Sequence, residues 1–169
     1  MQKIQSPASV LKSLNEALLK TMRPGMFVTL TLGILNTKSN TLTLARAGHE
    51  APLFCDAQNS GNVFPVESPG MALGIVPSEI FDPKIEDAQL PFNPGDMLVL
   101  YTDGLTEIEN KKKVEFSSQR LIKLLEKNQK QSAENVVKQI IEQTERFAEG
   151  LQPLDDQTLL LVKHQGDSN

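Results

Sequence analysis

Residues 98–107 read LVLYTDGLTE, and the apolar run that opens this stretch ends on an aspartate followed at once by a glycine. Leu98, Val99 and Leu100 are typical of a strand that is buried on both faces. A carboxylate at the tip of such a strand must be solvated, hydrogen-bonded or bound to a cation, because burial of an unpaired charge is costly. Asp103 is therefore either a turn residue or a ligand.

A second pair of acids, Asp155 and Asp156, stands just before the predicted last strand, residues 158–163. If that strand runs antiparallel to the one ending at Thr102, the two acidic segments meet at one edge of a sheet. Oxygen ligands without a neighbouring histidine or cysteine suit Mg²⁺ or Mn²⁺. Because neighbouring residues of an extended chain face opposite ways, we expect only one of the pair to be a direct ligand.

The same residues have a simpler interpretation. Asp-Gly is a common turn dipeptide, and Asp-Asp is a common solvated start of a strand, so spacing alone leaves both interpretations open. A phosphoaspartyl mechanism would need a carboxylate two positions before Asp103. Tyr101 stands there and cannot be that nucleophile, so this mechanism is set aside.

The rest of the chain alternates strand-like and helix-like patterns. Strands at 85–90 and 97–102 are predicted to pair with each other through the turn PFNPGD. Separate runs of strands and helices predict an α+β fold on an antiparallel sheet. The other predicted elements are a helix from Ser6-Pro7 to about Met22, a hairpin of 27–35 with 41–47, a short strand at 53–55, helices at 117–127 and 132–147, and a strand at 158–163.

Length, charge and cysteine content limit the classes of protein to which this chain can belong. The 169 residues are enough for one domain. With 17 basic against 21 acidic side chains the net charge is −4, and no basic block is present, so nucleic acid is not an expected partner. The single cysteine, Cys55, excludes an internal disulfide, and no apolar run of about 18 residues predicts membrane insertion. We expect a cytoplasmic protein.

Four strings, MFVTLTLGIL, RAGHEAPL, LVLYTDGLTE and DDQTLLLV, occur in this order. Together they resemble the metal-dependent PPM-type serine/threonine protein phosphatases, in the SpoIIE/RsbU-like branch. The resemblance implies a partial phosphatase domain over residues 1–163, followed by a polar tail at 164–169. It also implies an α-β-β-α sandwich of antiparallel sheets, here lacking its N-terminal strands.

The resemblance assigns roles to individual residues. It implies a centre of two Mn²⁺ or Mg²⁺ ions that activates a water, with Asp103, Asp155 and Asp156 at metal-ligand positions. Gly104 would let the backbone turn beside the metal. Glu107 would either support the site through a hydrogen bond or be solvated. His49 matches a recurring family string, and we favour an ordering role in its loop over catalysis.

The family also suggests a substrate. The implied partner is a phosphorylated protein, in this branch an anti-sigma-factor antagonist of a signal-transduction pathway, and a homodimer is one expected regulatory form.

An early Gly-Asp motif of the family, which supplies a further metal-bridging aspartate, has no match in residues 1–5, MQKIQ. The alternative is therefore a non-catalytic, degenerate or truncated module that binds a regulatory partner.

Overall fold

The computed structural model describes residues 5–166, which form two compact units. The first unit consists of residues 5–51 and 66–92. The second consists of residues 52–65 and 93–166. Each unit contains one antiparallel sheet and at least one helix, so the predicted α+β class is confirmed.

In the first unit a helix packs on a three-stranded sheet. Helix α1, Pro7–Thr21, begins as predicted, with the Ser6 hydroxyl oxygen accepting a hydrogen bond from the Ser9 N–H at 3.3 Å. The predicted hairpin is confirmed as β1, Leu30–Asn36, and β2, Thr41–Ala47. The core beneath α1 consists of Ala8, Leu11, Ala45, Ala47, Leu73, Phe81 and Ile85.

Asn15 is a polar residue in this core, with 0% of its surface exposed. Its side-chain amide donates to the Val76 carbonyl oxygen at 3.1 Å, and its amide oxygen accepts from the Gly74 N–H at 2.9 Å. One side chain thus satisfies two backbone groups of the loop that packs against α1. The amphipathic pattern of the helix gave no sign of this role.

We expect Asn15→Ala to lower the free energy of unfolding by about 2 to 4 kcal/mol, because it leaves two backbone groups without partners. Denaturant unfolding would measure the loss. Glu16→Ala is the control, since it removes an exposed ion pair with Lys20 from the same helix and should leave the unfolding midpoint nearly unchanged. Equal midpoints for the two variants would contradict the role of Asn15.

The second unit is built on a four-stranded antiparallel sheet. Its strands are β3, Leu53–Asp56; β4, Asn62–Pro65; β6, Met97–Tyr101; and β7, Leu159–Lys163. They lie in the order β4-β3-β6-β7. The central strand β6 is buried along most of its length, as its continuous apolar run predicted.

Three helices complete the second unit: α3, Asp103–Thr106; α4, Ser118–Asn128; and α5, Ala133–Ala148. The predicted start of α5 is confirmed, because the Ser132 hydroxyl accepts from the Asn135 N–H at 3.3 Å. One apolar cluster joins α4 and α5 to one face of the sheet. Its most buried members include Leu53, Met97, Val99, Leu121, Leu125, Val136 and Ile140.

The predicted pairing of 85–90 with 97–102 is wrong. The strand in the first of these segments is β5, Ala88–Pro91, and it pairs with β2, whereas β6 pairs with β3 and β7. The Phe92 N–H donates to the Asn40 carbonyl oxygen at 2.7 Å, which extends the contact with the first hairpin. The alternating, half-exposed β5 suits a sheet edge, and the apolar β6 suits a sheet centre.

Other differences are local. β1 starts at Leu30 rather than at Phe27, because Val28 forms only an isolated bridge to Leu73. A short helix α2, Ser78–Phe81, and a 3₁₀ turn, Asp82–Lys84, were not predicted.

At the predicted tail, the His164 N–H donates to the Asp96 carbonyl oxygen at 3.0 Å, while residues 167–169 lie outside the described range. No helix within 5–166 is long and apolar enough to span a bilayer.

Candidate metal centre

The end of β6 and the start of β7 meet at one edge of the second sheet. Tyr101 stands opposite Leu159 in an antiparallel pair, which is the arrangement that would bring the two acidic segments together. Beyond this pair the Thr102 N–H donates to the Thr158 carbonyl oxygen at 3.1 Å, and the Thr158 N–H donates to the Thr102 hydroxyl oxygen at 3.0 Å. The Thr102 hydroxyl in turn donates to the Asp156 carbonyl oxygen at 3.1 Å. Two acidic segments that are remote in sequence are therefore held side by side.

Gly104 lies directly against the segment that carries Asp155 and Asp156. A Cβ atom at this position would clash with the carbonyl group of Asp156. Because the obstacle is backbone, it cannot move aside as a side chain could. The glycine is thus required by this close approach.

The three predicted aspartates are exposed at this edge, and two of them have one carboxylate oxygen oriented by the backbone. Asp103 Oδ1 accepts from the Gly104 N–H at 2.9 Å, and Asp155 Oδ1 accepts from the Asp156 N–H at 2.7 Å. The second oxygen of each remains available to a cation. The ion pairs found within residues 5–166 lie elsewhere, so no basic side chain of that range neutralises these carboxylates.

A small pocket of about 110 Å³ opens beside the aspartates. Gly104, the predicted supporting residue Glu107 and Asp155 line it, together with Glu109 and Glu115, which sequence reasoning missed. Glu109 and Glu115 face each other across an antiparallel bridge. The signal for them was present, since the two acids flank the lysine-rich NKKK at a spacing that suits a hairpin.

The donor chemistry of this edge fits a hard cation. All candidate ligands are carboxylates, and Mg²⁺ is commonly held by one or two carboxylates with waters completing its shell. Asp103 and Asp155 would provide such a pair. Within the described residues, however, no group of three or more acidic, histidine or cysteine side chains could hold a metal. The complete ligand set of a two-metal centre is therefore not formed by this part of the chain.

His49 belongs to the first unit and has its own partners there. One ring nitrogen, Nδ1, lies 3.1 Å from the Thr29 hydroxyl, and the His49 carbonyl oxygen accepts from Arg46 Nη1 at 2.7 Å. Arg46 also donates from Nη2 to the Ser68 carbonyl oxygen at 2.9 Å. These contacts join the loop after β2 to the segment before β1 and to the segment around Ser68, which agrees with an ordering role for His49.

Tyr101 and Cys55 are both buried and are not available as reactive groups. Tyr101 is buried in the core of the second unit. Burial also raises the pKa of the Cys55 thiol to about 12, and the opposing effect of the nearby Lys163 charge does not offset it. A thiol with this pKa stays protonated at neutral pH and is a poor nucleophile.

The family described as Stage II sporulation protein E (SpoIIE) matches residues 1–165. The chain belongs to the SpoIIE family. This match covers nearly the whole sequence, so it confirms the predicted SpoIIE/RsbU-like, PPM-type assignment. Phosphatases of this family are metal-dependent.

Individual relatives agree with the SpoIIE-family assignment. Phosphoserine phosphatase RsbU of Bacillus subtilis (strain 168) is 33% identical over 159 residues, which are 94% of this chain and 45% of RsbU. The SiaA-PP2C domain of Pseudomonas aeruginosa has a TM-score of 0.79 at 18% identity, over 94% of this chain and 61% of that one. The phosphatase domain of Bacillus subtilis SpoIIE, presoaked with Mn, has a TM-score of 0.71 at 18% identity, over 99% of this chain and 70% of that one. The PPM-like α+β fold is thus confirmed, and the chain spans less than half the length of RsbU.

Proposed function

We propose that this SpoIIE-family chain is a metal-dependent protein serine/threonine phosphatase domain whose reaction takes place at the edge formed by β6 and β7. The observation that carries the proposal is the apposition of Asp103 with Asp155 and Asp156. Family membership supports the reaction class, and the name of RsbU supports phosphoserine as the substrate group.

The reaction is the hydrolysis of a phosphomonoester. A water oxygen bonds to phosphorus, the serine or threonine oxygen leaves with a proton, and inorganic phosphate is released. A bound Mn²⁺ or Mg²⁺ would lower the pKa of the attacking water and offset charge on the phosphoryl oxygens. Asp103 and Asp155 would hold the ion, while the Thr102 hydrogen bond to the Asp156 carbonyl and the close approach at Gly104 keep the two acidic segments side by side. Glu107 lines the adjoining pocket, from which it would support the site through a hydrogen bond.

The proposed substrate is a phosphorylated anti-sigma-factor antagonist, supported by the similarity to RsbU. A two-ion centre, a homodimer, a cytoplasmic location and the domain limits 1–163 remain predictions from the sequence. The non-catalytic alternative is favoured by one observation, the lack of a group of three metal-ligating side chains within residues 5–166.

We expect the 169-residue chain to release phosphate from a phosphoseryl antagonist in Mn²⁺ and not in EDTA. Asp155→Asn should lower the rate far more than Asp156→Asn, because Asp155 lines the acidic pocket with Gly104 whereas the contact of Asp156 with Thr102 is made by its backbone. Phosphate release would be followed with a coupled colorimetric assay. Metal-independent binding of the antagonist by the folded chain, without hydrolysis, would instead support the non-catalytic alternative.

A further inference from the structure

Helices α4 and α5 form a groove of about 460 Å³ in the second unit. Its apolar part consists of Phe116, Leu124 and Phe147. The rings of Phe116 and Phe147 meet edge to face, with their centroids 5.4 Å apart. Leu124 and Phe147 are only partly buried, so the groove presents apolar surface to the outside.

Four cationic side chains line the same groove: Arg120, Lys123, Lys127 and Arg146. The Arg120 guanidinium carbon lies 4.9 Å from the centroid of the Phe147 ring, so this cation is held over the apolar floor. No acidic residue lines the groove, and no ion pair within residues 5–166 involves any of the four.

The groove is positively charged, whereas the chain as a whole has a net charge of −4. Arg120, Lys123 and Lys127 are spaced three and four residues apart and therefore share one face of α4. Like charges at this spacing disfavour a helix, and no ion pair within residues 5–166 relieves their repulsion. An anionic partner would compensate this repulsion.

We propose that the groove binds an acidic amphipathic segment of another protein, with its apolar side chains on the Phe116–Phe147 floor and its carboxylates against the surrounding cations. The groove volume is large enough to enclose a few side chains of a partner. The binding of an amphipathic helix in an apolar groove is a common mode of protein recognition. A nucleic acid or an anionic membrane is disfavoured, because the net negative charge repels an extended polyanion. The proposal concerns surface outside the metal centre and does not depend on phosphatase activity.

The probe is a synthetic, fluorescently labelled peptide of glutamates with leucines spaced three and four residues apart. We expect Lys123→Glu combined with Lys127→Glu to raise its Kd at least about tenfold, because two attractive charges become repulsive. Lys130→Glu combined with Lys138→Glu is the matched control: it makes the same charge change on exposed residues that do not line the groove, and it should change the Kd less than about twofold. Fluorescence anisotropy gives both constants, and circular dichroism verifies that each variant is folded.

A second peptide, with serine in place of leucine, separates a docking groove from a simple charge effect and should bind at least about tenfold more weakly than the first. Equal affinities for the two peptides, or equal losses in the two charge variants, would overturn the proposal. Tighter binding to phosphatidylserine vesicles or to an oligonucleotide would make the occupant a lipid or a nucleic acid instead. Dimerisation that only the groove variant abolishes would make it a second copy of this chain.

Discussion

Replacing Asp103 with asparagine is expected to reduce Mn²⁺-dependent phosphate release by at least about 100-fold, equivalent to about 2.7 kcal/mol. Asparagine has nearly the same shape, and its side-chain oxygen can still accept the Gly104 N–H that Asp103 Oδ1 accepts at 2.9 Å. The substitution therefore removes the negative charge and changes little else at the end of β6. A loss of activity with unchanged stability is the expected result.

Calorimetric titration with Mn²⁺ tests the metal-binding role of Asp103 directly, without requiring phosphate hydrolysis. Saturable binding by the wild-type chain should become at least about tenfold weaker in Asp103→Asn. Asp56→Asn is the control, because it removes one carboxylate charge from the end of β3, where Asp56 accepts backbone N–H groups of the turn that follows. Unchanged Mn²⁺ affinity and unchanged hydrolysis in Asp103→Asn would show that Asp103 is a turn residue.

Gly104→Ala is expected to cost about 1 to 3 kcal/mol of unfolding free energy and to lower Mn²⁺ affinity and phosphate release together. The added methyl group clashes with the Asp156 carbonyl, so either α3 or the segment at 155–156 must move. Each of these segments carries one of the proposed ligands. In a helical turn alanine is otherwise preferred to glycine, so a loss of stability here reports the clash itself.

The control for the glycine prediction is Gly150→Ala. Gly150 has a φ of +84°, and nothing lies within 4 Å of the position that a Cβ would take, so alanine there meets backbone strain without a clash. We expect a loss of about 1 kcal/mol, with metal binding and hydrolysis retained. Denaturant unfolding gives both stabilities. A Gly104→Ala protein as stable as the wild type would refute the close approach inferred for the two segments.

The elements that sequence reasoning predicted well are those with a strong local signal. α1 has a serine cap, a proline at its first position and apolar residues at helical spacing, and it lies where these residues indicate. Partner choice between strands was predicted less well. Nearness in sequence favoured pairing β5 with β6, but the structure joins β5 to β2 and β6 to β3 and β7.

The candidate site shows the same division. Asp103, Gly104, Asp155 and Asp156 could be predicted because strand patterns next to acids locate strand ends, and antiparallel pairing brings such ends together. Glu109 and Glu115 were missed because their spacing suits a hairpin but does not show that this hairpin lies beside Asp155, which is remote in the sequence. The Asn15 contacts were missed for a similar reason, since both partners are backbone groups of a distant loop.

By itself the sequence determined the family, the α+β class, the main helices and the acidic residues at the two strand ends, because periodicity, caps and motif order are local properties of a chain. Only the tertiary structure decided which strands pair, why position 104 must be glycine, and which cations collect around Phe116 and Phe147. Those features depend on distances between residues that are remote in the sequence. Packing sets such distances, and no local pattern records them.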